Sequence, residues 1–378
     1  MKIGIPRALQ DGERRVAIIP ESCGRLAKLG LETIVERGAG VAAAFPDAEY
    51  VAAGARIVDD AALLFDQADA IVLIQPPTPR QIDALKSGTM LFSILSPLVN
   101  HDLVRRLAER GVRAVAMDMM PRISRAQKMD VLSSQSTIAG YKAVVLAADH
   151  LGKMFPMMMT AAGTITPAKV LVLGAGVAGL QAIATARRLG AVVEAFDVRP
   201  AVKEQVESLG ARFVVVEAPA QDAEDAGGYA REMSDAYKKK QAETIAARVR
   251  ECDIVITTAL IPGKPAPKLI TGEMVRSMRP GSVIVDLAAE SGGNCELTRG
   301  GETANENGVT ILAPLNAPSM VPFHASQMYS RNIAAFLQDL TKDGQIVLNK
   351  EDECVVGTLI TENGEVVCAR VKESMGAR

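Results

Sequence analysis

A glycine-spaced turn between an apolar strand and an alanine-rich helix constrains the fold of this chain more than any other feature. The turn has glycine at Gly174, Gly176 and Gly179. It follows four apolar residues, 170–173, that predict a buried parallel strand, and it precedes a predicted helix over residues 177–189. A strand, a tight turn and a helix in this order are typical of the first unit of a doubly wound α/β sheet.

Each glycine of the turn has a physical role. Gly174 permits the tight bend from strand to helix, Gly176 lets the backbone approach a pyrophosphate, and Gly179 lets the helix pack closely on the strand. Free N–H groups at the start of the helix, aided by the helix dipole, attract phosphate. The pattern therefore predicts a dinucleotide-binding turn.

An acidic residue follows the next predicted strand. Residues 191–196 read as that strand, and Asp197 lies 18 residues beyond Gly179 (197 − 179). A carboxylate there accepts hydrogen bonds from ribose hydroxyls and repels a 2′-phosphate, which favours NAD(H) over NADP(H). Arg199 is a complication, because a nearby arginine can accommodate a 2′-phosphate. The glycine pattern alone is weak, and it gains its meaning from the strand, helix, second strand and acid around it.

Length and charge exclude several classes of protein. The chain has 378 residues, more than a single hydrophobic core usually contains, so two domains are expected. The formal net charge of −2 gives no electrostatic reason to expect nucleic acid or an anionic membrane as a partner. The sequence contains no run of about 18 apolar residues, so we predict no insertion into a membrane.

Cysteine usage indicates the cellular compartment. The five cysteines are scattered and lack CxxC spacing. This favours a reduced, cytoplasmic compartment with inert thiols over a disulfide framework or a zinc site, and we predict no metal. The amino terminus lacks the apolar segment of a signal peptide.

Apolar runs alternate with helical patterns along the chain, which is typical of parallel sheets with right-handed crossovers. Predicted strands of the first 120 residues cover residues 2–5, 31–36, 70–74, 90–94 and 112–117, and predicted helices cover residues 21–29 and 101–110. Later predicted elements are strands over residues 253–257 and 282–287, a helix over residues 327–340 and a strand-like tail.

These elements predict an α/β protein of two Rossmann-like, doubly wound parallel-sheet domains joined by a long helix, with a cleft between them. The joining helix covers about residues 134–151. We expect residues 1–138 and 322–378 to form the first domain, and residues 139–321 to form the second, dinucleotide-binding domain. Residues 217–240 are too long and polar for a routine connector, and such loops are often lids.

The sequence offers few acid–base or nucleophilic residues. We interpret the three histidines, His101, His150 and His324, as structural or solvated, with His101 opening a surface helix, His150 on the joining helix and His324 in a loop. No Ser-His-Asp order, HExxH or phosphate loop is present. Five methionines near the domain junction are expected to fill gaps in a core; they are Met129, Met154, Met157, Met158 and Met159.

A polar segment over residues 120–136 follows a predicted parallel strand, where α/β sheets place ligand-binding loops. Arg122, Gln127 and Asp130 supply a donor fork, an amide and a carboxylate, which suit a nicotinamide carboxamide and its ribose. Composition alone favours the alternative, a helix-capping loop with solvated charges.

The chain resembles the NAD(H)-binding alpha subunit of proton-translocating NAD(P)+ transhydrogenase, in the form in which that subunit is a separate soluble polypeptide. The resemblance covers essentially the whole chain. In chain order, the matching segments are residues 2–6, 12–17, 121–134, 160–164, 174–179, 203–206, 227–230, 257–265 and 292–295. Residues 121–134 and 257–265 are highly specific, whereas the glycine turn is shared with many enzymes.

The resemblance implies roles for individual residues. Gln127 is expected to orient the nicotinamides, and Arg122 and Asp130 to fix the loop and the ring conformation, with Ser133 close by. Further contacts with the nucleotide are implied. Those under the pyrophosphate are Gly174, Gly176, Val177, Ala178 and Gly179, and those on the adenosine side are Asp197, Val198 and Arg199. Gly228 and Tyr229 are implied on a mobile loop, and Gln241 and Leu260 at two further matching positions.

The resemblance also implies a reaction and partners. NADH bound to this chain is expected to pass hydride directly to NADP+ on a separate NADP(H)-binding domain, coupled to proton movement through a membrane-embedded subunit. Transfer between two nicotinamides moves no substrate proton at the reacting carbon, so the site needs positioning and no catalytic histidine. A homodimer, peripheral on the cytoplasmic face of the inner membrane, is implied as well.

Two other functions compete with this one. Alanine dehydrogenase shares the amino-terminal segment with Arg15, but that family uses a lysine and a histidine where this chain has Gln75 and Ser96. Alanine turnover is therefore doubtful, and we interpret Arg15 as structural. A non-enzymatic NAD-sensing or scaffolding module is the second alternative, because the chain alone lacks a second substrate site.

Overall fold

The computed structural model of this chain describes residues 1–216, 235–261 and 263–376. The chain divides into two compact units. Met1–Gln135 and Ser319–Arg378 form the first unit, and Ser136–Pro318 forms the second. The division falls inside one helix, Val131–His150, which therefore begins in the first unit and continues in the second.

The first unit begins as a parallel sheet with crossover helices. Its strands are β1 (Lys2–Ile5), β2 (Glu32–Glu36), β3 (Arg56–Val58), β4 (Ala70–Val72), β5 (Met90–Ser93) and β6 (Arg113–Ala116). Its helices are α1 (Pro20–Ala27), α2 (Asp47–Ala52), α3 (Ala61–Gln67), α4 (Pro79–Ala84) and α5 (His101–Glu109). The strand order is β3-β2-β1-β4-β5-β6, with every neighbouring pair parallel.

The second unit repeats this plan. After α6 (Val131–His150) its strands are β7 (Met158–Thr160), β8 (Gly163–Ile165), β9 (Lys169–Leu173), β10 (Val192–Phe196), β11 (Arg212–Phe213), β12 (Ile254–Thr257), β13 (Val283–Asp286), β14 (Thr303–Glu306) and β15 (Val309–Leu312). Its later helices are α7 (Val177–Arg188), α8 (Lys203–Ser208), α9 (Asp235–Glu251) and α10 (Gly272–Ser277). The main sheet has the order β11-β10-β9-β12-β13-β15-β14, and only β14 runs antiparallel to its neighbour.

The carboxyl-terminal segment returns to the first unit. Its elements are α11 (Pro322–Leu340), β16 (Thr341–Lys342), β17 (Gln345–Ile346), α12 (Glu353–Thr358), β18 (Leu359–Glu362), β19 (Glu365–Val366) and α13 (Ala369–Gly376). Strand β18 pairs antiparallel with β6, and β19 extends the sheet beyond it. The tail predicted as strand is therefore a mixture of short strands and helices.

Alternating side chains explain why each sheet is covered on both faces. In β9, Val170 and Val172 join one hydrophobic core, whereas Leu171 and Leu173 join another. Successive side chains of a strand point to opposite faces, so a strand that is apolar at every position is buried on both sides. The first unit likewise has two cores. The predicted α/β class with two doubly wound parallel sheets is confirmed.

Two predictions about individual residues are wrong. Met154, Met157, Met158 and Met159 fill no core: all four are exposed, with Met159 at 78%. They lie in or beside the hairpin of β7 and β8, whose six strand residues are all exposed, and only Met129 is buried as predicted.

His324 lies within helix α11 and not in a loop. The helix begins earlier than the predicted residue 327 because Pro322 occupies its first turn, where the missing N–H of proline costs nothing. His101 does open α5 but is buried, and its Nε2 lies 3.0 Å from the Leu98 carbonyl oxygen.

Among the described residues, none of the helices is long and apolar enough to cross a bilayer.

The five cysteines are all free and buried. Burial raises the pKa of the Cys23 thiol to about 11 and that of Cys252 to about 12. At pH 8 a thiol with a pKa of about 11 is ionised in only about one molecule in a thousand, and the thiolate is the reactive form.

We therefore expect native protein treated with iodoacetamide at pH 8 to remain essentially unmodified, and the unfolded protein to gain five adducts. Intact-protein mass spectrometry after timed quenching measures both. Rapid labelling of one cysteine in the native state would show that its thiol is accessible and ionised, contrary to its burial here.

Candidate dinucleotide-binding site

The strand order of the second unit defines a switch point between β9 and β12. The chain runs outward from β9 to β10 and β11, and then returns to the other side of β9 with β12. Open α/β sheets bind ligands in the crevice at the carboxyl ends of the strands flanking such a reversal. Gly174 follows β9, and Thr258 follows β12, so the predicted glycine turn lies at the switch point.

The glycine turn has the geometry that its spacing predicts. Gly174 has φ +98°, a conformation that side chains disfavour. A Cβ added to Gly179 would lie 1.9 Å from the carbonyl oxygen of Gly174, so a side chain there would push the helix away from the turn. A Cβ at Gly176 would meet no atom within 4 Å. Packing therefore explains Gly174 and Gly179, whereas the space beside Gly176 is open for a ligand.

Helix α7 begins directly at the turn, with Gly176 as its N-cap. Val177 is exposed and Ala178 half-buried. The first N–H groups of a helix lack intrahelical partners, and the helix dipole adds partial positive charge there. The end of α7 at the switch point is thus suited to an anionic group such as a pyrophosphate.

Asp197 ties the end of β10 to the glycine turn. It is 8% exposed, and its Oδ2 accepts a hydrogen bond from the Ala175 N–H at 2.7 Å. Arg199 folds back on it: the backbone N–H and Nε donate to Oδ1 and Nη2 donates to Oδ2, each at 2.9 Å. The acid thus has a scaffolding role that its sequence position alone did not reveal, and its predicted contact with a ribose stays a prediction.

The other residues predicted in the second unit have different environments. Val198 is half-buried beside Asp197, Gln241 is buried on α9, and Leu260 is exposed after β12. Gly228 and Tyr229, predicted as part of the lid, lie outside the described residues.

The predicted nicotinamide loop lies in the first unit, after β6. A 3₁₀ helix, Ser124–Met129, buries Ala126 and Met129 and leaves Gln127 exposed. Arg122, before this helix, is also exposed. Ala126 and Met129 pack into a hydrophobic core of the first unit and fix the loop there, and Gln127 remains exposed on the surface of the loop.

Two ion pairs hold this loop on the carboxyl-terminal segment. Arg125 donates to both carboxylate oxygens of Asp352, and this interaction holds the pKa of Asp352 below its usual range. Lys128 Nζ lies 2.9 Å from Asp339 Oδ1, and the Lys128 carbonyl accepts from Asn332 Nδ2 at 2.9 Å. The loop is therefore anchored at several points along its length.

Asp130 caps helix α6. Its Oδ1 accepts a hydrogen bond from the Ser133 N–H at 2.9 Å, and its Oδ2 accepts one from the Ser133 hydroxyl at 2.6 Å. An N-cap carboxylate satisfies a free N–H of the first turn and interacts favourably with the helix dipole. The structure thus brings Asp130 and Ser133 together, and the helix-capping interpretation holds for this residue pair.

A buried polar cluster surrounds Arg15. Its Nε and Nη2 donate to the two carboxylate oxygens of Glu13 at 2.8 and 2.6 Å, and its Nη1 donates to Gln135 Oε1 at 2.8 Å. Gln75 Nε2 donates to Glu13 Oε2 at 3.3 Å. The guanidinium is held by a carboxylate of its own chain, which fits the structural role expected for Arg15.

Ser96, in the turn after β5, also has a structural role. Ser96 has φ +47°, and its N–H donates to Asp118 Oδ2 at 2.9 Å, while the Leu95 N–H donates to Oδ1 at the same distance. Burial raises the pKa of Asp118. Asp118 thus holds the turn after β5, and neither Gln75 nor Ser96 supplies a group that titrates near neutral pH.

Two family models together match most of this chain. Two models of the alanine dehydrogenase/PNT family match the chain, the N-terminal domain over residues 4–139 and the C-terminal domain over residues 143–369. An NAD(P) transhydrogenase alpha-subunit polypeptide of Rhodospirillum rubrum is 52% identical over 375 residues, which span 97% of this chain and 98% of that protein. The chain belongs to the NAD(P) transhydrogenase alpha-subunit family.

Solved structures agree with this family. A transhydrogenase from Sinorhizobium meliloti is 46% identical, with a TM-score of 0.89, and the match covers 97% of this chain and 100% of that one. An L-alanine dehydrogenase is 27% identical, with a TM-score of 0.82 over 100% of this chain and 99% of that one. The family predicted from residues 121–134 and 257–265 is confirmed.

The capping role of Asp130 is open to measurement. Replacing Asp130 with Ala removes the acceptor for the Ser133 N–H and should lower the free energy of unfolding by about 1 kcal/mol. Asp130→Asn keeps an acceptor and should lose clearly less. Urea unfolding of both variants at pH 7 gives the comparison, and equal losses would contradict the cap.

Proposed function

We propose that this chain is the NAD(H)-binding subunit of a proton-translocating transhydrogenase. It binds NADH and passes hydride directly to NADP+ held on a partner domain, and membrane subunits couple this transfer to proton movement. The chain is active only with these partners. The glycine turn at the switch point, with Asp197 fixed against it, is the observation that carries the proposal.

The described residues fit a bound dinucleotide. The space beside Gly176 leaves the backbone accessible, and the amino end of α7 attracts the pyrophosphate. Asp197, Val198 and Arg199, which follow β10, are the residues that we assign to the adenosine ribose. Gln241, Leu260, Gly228 and Tyr229 complete the proposed contacts. Because Arg199 is engaged with Asp197, the ribose end favours NAD(H) over a 2′-phosphorylated nucleotide.

The loop of the first unit that contains Gln127 positions the nicotinamide rings in this proposal. Bound NADH provides the hydride. Gln127, exposed on a loop fixed at Arg125 and Lys128, orients the nicotinamide rings, while Arg122 and Asp130 fix the loop. Reacting carbons must come within roughly 3–3.5 Å of each other, so the second nucleotide must be presented by a docking partner. Such a site needs positioning groups and no general base.

Alanine dehydrogenase is the alternative enzyme, and two residues of this chain argue against alanine turnover. Reduction of a keto acid needs a carboxylate ligand and a proton donor. This chain has Gln75 and Ser96 at the corresponding strand ends, and the Arg15 cation is held by Glu13. These features support hydride transfer between nucleotides over turnover of alanine.

We infer an assembly from the resemblance to this family. The chain forms a homodimer, docks an NADP(H)-binding domain and is peripheral on the cytoplasmic face of the inner membrane through membrane-embedded subunits. The relative from Rhodospirillum rubrum is named as a subunit, which supports the need for partners.

The deciding experiment mixes this chain with a soluble NADP(H)-binding domain of a transhydrogenase and follows reduction of an NAD+ analogue by NADPH. We expect rapid turnover that requires both proteins. Binding of NADH without turnover in the mixture would contradict direct hydride transfer and favour an NAD-sensing module. L-Alanine with NAD+ is the control substrate, and NADH formation from it would favour the alanine dehydrogenase activity.

The orienting role of Gln127 predicts a specific kinetic pattern. Gln127→Asn keeps the amide but shortens its reach, so the turnover rate should fall at least tenfold, about 1.4 kcal/mol, while NADH affinity changes little. Ser124→Ala, at an exposed position of the same 3₁₀ helix to which no contact is assigned, is the matched control. Turnover and affinity that fall by the same factor would indicate a general binding contact.

A further inference from the structure

The residues that hold the glycine turn in place extend beyond the turn itself, to a buried asparagine on another loop. Asn294 follows Gly292 and Gly293, which both have positive φ, and its side chain is fully buried. In the sequence it looks like an ordinary turn residue. Its contacts are different from those of a turn residue.

The Asn294 carboxamide pairs with both backbone polar groups of one residue, Ala259. Its Oδ1 accepts a hydrogen bond from the Ala259 N–H at 3.0 Å, and its Nδ2 donates to the Ala259 carbonyl at 2.8 Å. Nδ2 also donates to the Pro267 carbonyl at 2.8 Å. One side chain thus fixes Ala259 in position and direction directly after β12.

Ala259 stands next to the residue that contacts the glycine turn. The Thr258 hydroxyl donates to the Gly174 carbonyl at 3.1 Å, and the Thr258 N–H donates to the Leu173 carbonyl at 2.9 Å. A Cβ on Gly174 would lie 2.7 Å from Thr258 Oγ1 and 3.2 Å from the Ala259 nitrogen. The segment after β12 therefore packs directly against the turn that follows β9.

The loop that carries Asn294 is itself rigidly held. Lys268 Nζ donates to the carbonyl oxygens of Gly292 at 2.5 Å and Gly293 at 2.9 Å. The buried Asp286 at the end of β13 accepts hydrogen bonds from the Cys295 N–H at 3.0 Å and the Thr257 hydroxyl at 2.9 Å. Asp286 thus links the ends of β12 and β13 to Cys295, the residue after Asn294, and these hydrogen bonds restrict movement of the loop that carries Asn294.

We propose that Asn294 is a positioning residue for NAD(H), acting through Ala259 and Thr258 on the Gly174 turn. This inference rests on the proposed function. Asn294 lies too deep to touch a ligand, and its effect is to keep the carbonyl of Gly174 and the amino end of α7 where a pyrophosphate is bound. The hydrogen bonds of the Asn294 carboxamide to Ala259 and Pro267 form a clamp. Loss of this clamp releases the segment after β12, including the exposed Leu260, and loosens the turn.

Two isosteric substitutions test this chain of contacts separately. Asn294→Asp keeps the acceptor for the Ala259 N–H but places an oxygen against the Ala259 and Pro267 carbonyls. Thr258→Val removes the hydroxyl that reaches Gly174, and Thr258→Ser keeps it. We expect Asn294→Asp and Thr258→Val each to raise the NADH dissociation constant about tenfold, and Thr258→Ser to stay within about twofold of the wild type.

A matched control separates positioning from general destabilisation. Val309→Ala removes fully buried apolar atoms from β15, which is separated from β9 by β12 and β13, and should lower the melting temperature without changing NADH affinity. In the reconstituted reaction the KM for the NAD+ analogue should rise in Asn294→Asp, with kcat at saturating analogue within about twofold of the wild type.

Distinct results would overturn the inference. Wild-type affinity in folded Asn294→Asp would do so, and so would an equal loss of affinity in Val309→Ala. If Asn294→Asp does not fold, the threonine pair decides, and equal affinities for Thr258→Val and Thr258→Ser would reject the clamp. Failure of the wild-type chain to bind NADH would instead reject the proposed function.

Discussion

The contact between Gly179 and the carbonyl of Gly174 is the constraint on which the dinucleotide site depends. No side chain fits in this contact, because a Cβ would lie 1.9 Å from the oxygen. A second such contact stands beside it, since a Cβ on Gly140 of α6 would lie 2.1 Å from the Ala178 carbonyl. Backbone atoms of two helices and one turn therefore meet directly. The direction in which α7 presents its amino end is fixed by these contacts, and longer side chains would change it.

Two polar side chains, those of Asp197 and Thr258, also hold the glycine turn in place. Asp197 joins β10 to the turn through the Ala175 N–H, and Thr258 joins β12 to it through the Gly174 carbonyl. The turn is thus supported by the strands on both sides of β9. Arg199 lies on Asp197 in a largely buried pair, and freeing the guanidinium for a 2′-phosphate would leave a buried carboxylate uncompensated. The same pair therefore stiffens the turn and supports the proposed preference for NAD(H).

The sequence predicted the sheets well because strands buried on both faces are apolar at every position, as in residues 170–173. It predicted the glycine turn because backbone geometry there leaves little choice of residue. It did not predict Asn294 or Gly140, whose partners lie far along the chain at Ala259 and Ala178. The exposed methionine hairpin was missed for a related reason: hydrophobic composition does not determine whether a segment meets a core. Contacts between distant loops leave no periodic signal.

Solved structures similar to this chain include a transhydrogenase and an L-alanine dehydrogenase, and the environment of Arg15 bears on the difference between their reactions. Arg15 is a cation of the kind that binds the carboxylate of a keto acid, yet Glu13 engages it through two hydrogen bonds, and the Glu13 side chain is fully buried. A competing carboxylate would have to displace a partner that is tethered two residues away, at a high effective concentration. Gln75 and Ser96 cannot donate a proton near neutral pH, so these two strand ends supply no acid–base group. This supports the proposed hydride transfer between two nicotinamides, which moves no substrate proton at the reacting carbon.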